Sequence, residues 1–334
     1  MKTIIARDRK IQIIEQAEPI ILQSNLLIET SYSAISPGTE LGLIEESDGR
    51  DLELGYSAVG IVLECGENVK GFQKGDIVAC YGAPYVGHRE RLLVPTTLCA
   101  KVPPGVDIKE GALAGIGAIA IHALRIAKLS FGETVVIVGL GVLGQMIAKI
   151  ANAAAYNVIA FDIQSDRVDM LSGDNGIRAF SSLSEMENEL ARCTNNQGAD
   201  AVLLCAGGKR TELTDYCLEW VRKQGKVVIV GDIEPVFPRN QLFAKEAQIL
   251  ISRAGGPGRY DPVYEKQSID YPYGYVRWTE GRNLAEYVRL ISNKMIDVKP
   301  FLKDEVDFKD VPVAYDELLE RKKDRLTKII NYKK

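Results

Sequence analysis

The chain has 334 residues, 46% apolar and 26% charged, with 41 Lys and Arg against 45 Asp and Glu. That is enough chain for two ordinary domains and is the composition of a soluble globular protein. The slight acidic balance, without any long basic stretch, argues against nucleic acid or an anionic membrane as a partner. No apolar run is long enough to span a bilayer, and Met1–Ile5 lacks the apolar core of a signal peptide, so a cytoplasmic location is expected. The six cysteines (65, 80, 99, 193, 205 and 217) include no C-x-x-C pair and read as reduced, mostly buried thiols.

In chain order, residues 1 to about 105 read as short strands and turns. Ser36-Pro37-Gly38, Gly66-Glu67-Asn68, Lys74-Gly75-Asp76 and Pro103-Pro104-Gly105 punctuate them, and alternation such as Gly60–Glu64 suits a β-barrel-like domain. A helix over roughly Lys109–Lys128 follows. From about 133 to 255, strands at 134–138, 157–161, 178–181, 200–205, 226–231 and 248–253 alternate with helices, the pattern of a doubly wound parallel α/β sheet. From 256 a loop rich in Gly, Pro, Tyr and Arg runs to about 279. A helix from Arg282 to about Asn293, a helix from Val311 to about Lys322 and a last strand, Thr327–Tyr332, complete the chain.

The strongest motif is Gly139-Leu140-Gly141-Val142-Leu143-Gly144. It lies between the β-branched run Thr134–Val138 and a segment of helical spacing, the strand-to-helix setting that gives G-x-G-x-x-G its meaning. Gly139 permits the tight turn, Gly141 lets backbone approach a pyrophosphate, and Gly144 lets helix pack on strand. The helix start offers unpaired N–H groups to phosphate. Val158–Phe161 then ends in Asp162, 18 residues beyond Gly144. A carboxylate there accepts from the 2′-OH of NAD and repels the 2′-phosphate of NADP. Ile163 and Arg167 flank it on the adenosine side. Cys205-Ala206 and Gly231-Asp232, at the ends of later strands, should border the same crevice.

Over essentially its whole length the chain resembles the medium-chain dehydrogenase/reductase family. The likeness rests on Gly60-Ile-Val…Gly66-Glu-Asn-Val69-Lys-Gly-Phe72…Gly75-Asp76-Ile-Val78, on the segment near Ala114–Leu124, and on the nucleotide fingerprint. It implies a GroES-like β-barrel catalytic domain built from both chain ends (1–119 and 256–334), an inserted Rossmann NAD-binding domain (120–255), an active site in the cleft between them, and a homodimer or homotetramer. Ile35–Leu41 and Gly55–Gly60 resemble the branch containing bacteriochlorophyllide dehydrogenases. Gly256–Pro262 and Tyr275–Glu280 resemble dehydrogenases associated with surface-polysaccharide biosynthesis, the likeness given more weight here because that segment lies where substrate should bind.

Zinc-dependent members of the family hold their metal with three ligands, and this chain departs at each. The three positions fall at Ser36, Tyr56 and near Gly115, and a hydroxyl, a phenol and a glycine do not make a zinc site. No metal is therefore expected, and an organic acid/base must do the work of the Lewis acid. Tyr56 is the first candidate, although a phenol needs a nearby cation or the oxidised nicotinamide to serve as a base. Thr39 could relay a proton with Glu40 orienting a neighbour, or the stretch could be a simple turn. His88, one of only two histidines, is either a catalytic group or a satisfied structural one. His122, within a helix, is assigned no chemistry. On the substrate side, Arg259, Tyr260, Arg277 and Trp278 offer guanidinium forks and aromatic faces suited to a sugar-like molecule.

The sequence thus points to a zinc-independent, NAD-dependent dehydrogenase acting on a secondary alcohol or ketone of a sugar, nucleotide-sugar or cyclitol. The alternatives are a hydroxyethyl-tetrapyrrole dehydrogenase, a quinone or enone reductase, and a non-catalytic NAD(H)-binding sensor.

Overall fold

The protein is described from a computed structural model, which describes residues 1–208, 211–319 and 326–333. The chain forms two compact units, one of Met1–Ile119 with Ala254–Lys334 and one of Ala120–Arg253.

The first unit begins with strands β1 (Lys2–Arg7), β2 (Lys10–Glu15) and β3 (Asn25–Ala34), helix α1 (Pro37–Glu45), and strands β4 (Leu52–Glu53), β5 (Ser57–Cys65), β6 (Ile77–Tyr81), β7 (Arg91–Pro95) and β8 (Cys99–Lys101). Helices α2 (Ile108–Gly111) and α3 (Ala114–Ala127) lead into the second unit, with β9 (Thr134–Val138), helix α4 (Val142–Ala153), β10 (Asn157–Phe161), β11 (Ile177–Phe180), β12 (Ala199–Leu204), β13 (Val221–Ile229) and β14 (Gln248–Ile251). The chain then returns to the first unit, with helices over Pro262–Glu265, Glu280–Ser292 and Val311–Leu319 and the strands β15 (Glu305–Asp307) and β16 (Ile329–Asn331).

In the first unit β16 lies antiparallel on β3, pairing Ile329 with Ala34. Strands from both chain ends therefore share one sheet, of order β15-β16-β3-β5-β6-β8 with β7 also on β3, beside a smaller sheet β2-β1-β4. The pairing does not require a closed barrel. Alternate residues of these strands (Leu26, Ile28, Ala58, Val62, Val78, Cys80, Leu92 and Val94) face one apolar core, as period-2 patterning dictates. A second core joins Ile4, Ala6, Ile35 and Ile44 to Val311, Tyr315 and Ile330 near the other end of the chain.

The second unit is a six-stranded sheet of order β11-β10-β9-β12-β13-β14, with every neighbouring pair parallel. All five residues of β9 are buried, which explains its unbroken apolar run: both faces are covered. The strand order reverses between β9 and β12, the switch point at which open α/β sheets bind ligands.

Several elements differ from the sequence expectation. The helix expected over 109–128 is broken between α2 and α3, because Ser57 Oγ donates to the Ala112 carbonyl (2.6 Å) and accepts from Gly115 N (2.8 Å). Backbone groups that an unbroken helix would pair internally are met by a side chain from β5. Ser36–Thr39, weighed as a turn, instead opens α1. The loop over 256–279 contains the short helix Pro262–Glu265, capped by the Asp261 side chain on Val263 N. The last helix is described to Leu319; its expected end near Lys322 lies outside the described residues. Among the described residues no helix is long and apolar enough to cross a membrane.

Candidate active site

In the second unit the glycine turn joins β9 to α4. Gly139 has φ +90°, a left-handed conformation natural to glycine, and a Cβ on it would stand 2.7 Å from Ala206 N. A Cβ on Gly144 would stand 1.9 Å from the Gly139 carbonyl oxygen. These two glycines are required by packing. Gly141 differs: it is the N-cap of α4 with no side-chain cap hydrogen bond, and nothing lies within 4 Å of where its Cβ would be. Val142 is buried in the first turn of α4 and Leu143 half-buried beside it.

Asp162, at the end of β10, is only 5% exposed. Its carboxylate accepts from Leu140 N at 2.7 Å and Gln164 N at 2.9 Å, and Arg167 Nη1 lies 3.1 Å from Oδ2. The acid is therefore tied into the turn it faces. Ile163 beside it is 66% exposed. Across the switch point, Cys205 N and Ala206 N both donate to the Val138 carbonyl. A Cβ on Gly231 would stand 2.4 Å from the Ala206 carbonyl oxygen, and the Asp232 carbonyl accepts from Gly208 N. The expected strand-end residues thus lie together. Burial pushes the Cys205 thiol up to about 12, so it is a packing group here.

In the first unit the candidate acid/base residues form one hydrogen-bonded cluster. The Tyr56 hydroxyl donates to Ser36 Oγ at 2.7 Å. Ser36 N donates to Glu40 Oε1 at 2.7 Å. Glu40 Oε2 meets His88 Nε2 at 2.9 Å and also accepts from the Tyr315 hydroxyl. His88 Nδ1 pairs with Ser33 Oγ at 2.8 Å, and Ser33 Oγ with the Tyr332 hydroxyl at 2.9 Å. The imidazole fits because residue 55 is glycine: a Cβ there would stand 2.7 Å from the ring.

The cluster has an accessible end and a sealed one. Thr39 is exposed and Tyr56 half-buried, whereas Glu40 and His88 are fully buried. Burial pushes the Tyr56 phenol up to about 12; hydrogen bonds with Ser36 and Thr39 oppose the shift and the nearby Glu40 charge adds to it. At neutral pH the phenol therefore keeps its proton. These surroundings differ from what a base would need, and they suit a hydrogen-bond donor. Glu40 and His88, with no exposed surface, can act only through Ser36 and Tyr56. Sequence reasoning missed Ser33, Ser36, Tyr315 and Tyr332 as members; Tyr315 is 275 residues from its partner Glu40, and no local signal could have linked them.

On the late loop, Arg259 pairs with Glu265 at 2.7 Å, both side chains about nine-tenths buried, and its guanidinium stacks on Tyr260. It anchors the loop. Arg277 is exposed and its guanidinium lies 3.6 Å from the Trp278 ring centre and 4.3 Å from that of Tyr273. The loop begins against Tyr81, whose hydroxyl accepts from Gly255 N at 2.8 Å and whose ring meets Tyr56 edge-on at 6.0 Å. His122, in α3, is 8% exposed.

The residues present fit a dinucleotide: the open Cβ position of Gly141, the uncapped start of α4 and Asp162 are what a pyrophosphate and a ribose need. They do not fit zinc. Ser36 is engaged with Tyr56, Gly115 supplies no donor atom, and among the described residues no three His, Cys, Asp or Glu converge.

The fold is similar to that of galactitol-1-phosphate dehydrogenase of Escherichia coli, which superposes with a TM-score of 0.81 at 16% identity, over 99% of this chain and 100% of that one. More particularly, residues 139–267 match the zinc-binding dehydrogenase family, a segment that contains none of positions 36, 56 and 115. The chain is similar to 2-dehydro-3-deoxy-L-galactonate 5-dehydrogenase of Pseudoalteromonas atlantica, 24% identical over 324 residues, covering 86% of each. It is likewise similar to D-xylulose reductase of Saccharomyces cerevisiae, 24% identical and covering 79% of this chain and 77% of that protein.

Proposed function

We propose that this protein is an NAD-dependent, zinc-independent oxidoreductase that transfers a hydride between the nicotinamide and a secondary alcohol or ketone of a sugar or polyol. One observation carries the reading: the glycine turn is closed by Asp162, whose carboxylate is fixed by Leu140 N and Gln164 N. A bound nicotinamide supplies the hydride acceptor or donor. Gly139, Gly141, Val142, Leu143 and Gly144 would hold the pyrophosphate side, Asp162, Ile163 and Arg167 the adenosine side, and Cys205, Ala206, Gly231 and Asp232 the strand ends. The acidic side chain at 162 favours NAD over NADP.

Sugar and polyol dehydrogenases among the relatives support the substrate class. Thr39 is assigned to the substrate oxygen and Tyr56 to the hydroxyl chain that leads to it, with Glu40 and His88 positioning them from behind. Arg277 and Trp278, with Tyr260 and the anchoring Arg259, are assigned to the rest of the substrate. The protein is expected to work in the cytoplasm as a homodimer or homotetramer. The test is reduced-nicotinamide absorbance with NAD and with NADP over a panel of polyols, sugar acids and sugar phosphates. Turnover with NAD that survives a chelator is expected. About one zinc per chain in the purified protein, or turnover abolished by the chelator and restored by zinc, would refute zinc independence; NAD bound without turnover of any substrate would favour a sensor.

A further inference from the structure

Ser36 occupies a position that the sequence marks only as a lost metal ligand. It is the N-cap of α1, yet its side chain makes no cap hydrogen bond. An N-cap serine ordinarily turns its oxygen onto an N–H of the first helical turn, a contact worth about 1 kcal/mol. That contact is forgone here. Glu40 reaches back to hold Ser36 N, and Ser36 Oγ instead accepts from the Tyr56 phenol at 2.7 Å. A serine hydroxyl also has one proton to donate, and no hydrogen bond donated by Ser36 Oγ forms among the described residues. The phenol is the stronger acid of the two, so the polarity of the chain runs from Tyr56 to Ser36, which keeps 8% of its surface exposed. Thr39, exposed on the same first turn, marks the accessible side.

We propose that Ser36 Oγ–H is the hydrogen bond donated to the reacting oxygen of the substrate, strengthened by Tyr56 behind it and fixed by Glu40 through the backbone. This rests on the dehydrogenase reading above and names a catalytic residue within it. In the oxidising direction the alcohol proton leaves to water and the hydride on carbon leaves to the oxidised nicotinamide, while Ser36 and Tyr56 keep their own protons. Their task is to lower the energy of the alkoxide-like oxygen, as a preorganised donor pair does.

The test compares the full-length parent with Ser36→Ala, Ser36→Cys, Tyr56→Phe and the double variant Ser36→Ala/Tyr56→Phe. Ser36→Ala should lower kcat by about 100-fold, the usual loss when one oxyanion donor is removed. The affinity for reduced nicotinamide, followed by its fluorescence, should stay unchanged. Ser36→Cys, near in size but a poor donor, should lose nearly as much, and it serves if the alanine variant does not fold. Tyr56→Phe should lose about tenfold, and the double variant no more than Ser36→Ala alone, because the phenol acts through the serine. A readout independent of turnover is the titration of a carbon-13-labelled Tyr56 ring, which should move to higher pH in Ser36→Ala. A parent that turns over polyols beside serine variants within twofold of it, or an unmoved Tyr56 titration, overturns this proposal and leaves the dehydrogenase reading standing. A parent without hydride transfer to any of the panel overturns both.

Discussion

Glu40 takes hydrogen bonds from Ser36 N, His88 and Tyr315 while fully buried. Removing it strands each of these partners away from water. Glu40→Ala should therefore cost about 3 kcal/mol or more, read as a lower urea midpoint, whereas Thr39→Ala at the exposed end should leave the midpoint within about 0.5 kcal/mol. His122 gives a pH-dependent counterpart. Burial, then the Arg125 and Arg253 charges, push its imidazole from the ordinary 6.5 down to about 4. The unfolded chain takes the proton first, so the contribution is complete above pH 6.5 and is lost as pH falls through about 4. It amounts to about 3 kcal/mol at most. Denaturation midpoints across that window should fall less steeply in His122→Leu than in the parent. At Asp162, exchange for alanine removes the charged acceptor expected for the ribose. The NAD-over-NADP ratio of kcat/KM should fall by about 10- to 100-fold.

At the scale of elements, the turn from β9 into α4 separates glycines kept for packing from one kept for a ligand. Gly144→Ala drives a methyl into the Gly139 carbonyl and should cost about 1–3 kcal/mol, with dinucleotide binding lost alongside. Gly141→Ala meets open space; its thermal midpoint should hold while dinucleotide affinity, measured by calorimetry, drops. This turn was legible because strand, glycines, helix and acid all lie within one short stretch and each reports its own backbone demand. The break between α2 and α3 was not, because its cause is Ser57, 55 residues from Ala112. Nor was α1, since Ser-Pro-Gly-Thr opens a turn and a helix with the same residues; the acid four positions on that tips it toward helix does so by a contact only a folded backbone makes.

Over the whole molecule, the alternating pattern from 133 to 255 dictates a parallel sheet because its central strands, such as β9, bury both faces under the crossover helices. The other unit hides its design from a reader of sequence, since β3 pairs with β16 and Glu40 with Tyr315 across most of the chain. Those same pairings bear on how the protein is made. His88, Ser33 and Glu40 leave the ribosome early, but Tyr315 and Tyr332, which complete their hydrogen bonding, come far later. A growing chain can shape the glycine turn as soon as residue 162 is free, yet its acid at 40 lacks one of its three partners until residue 315 has emerged. The nascent polypeptide should thus acquire dinucleotide affinity before it acquires turnover, which waits for residues 315 and 332.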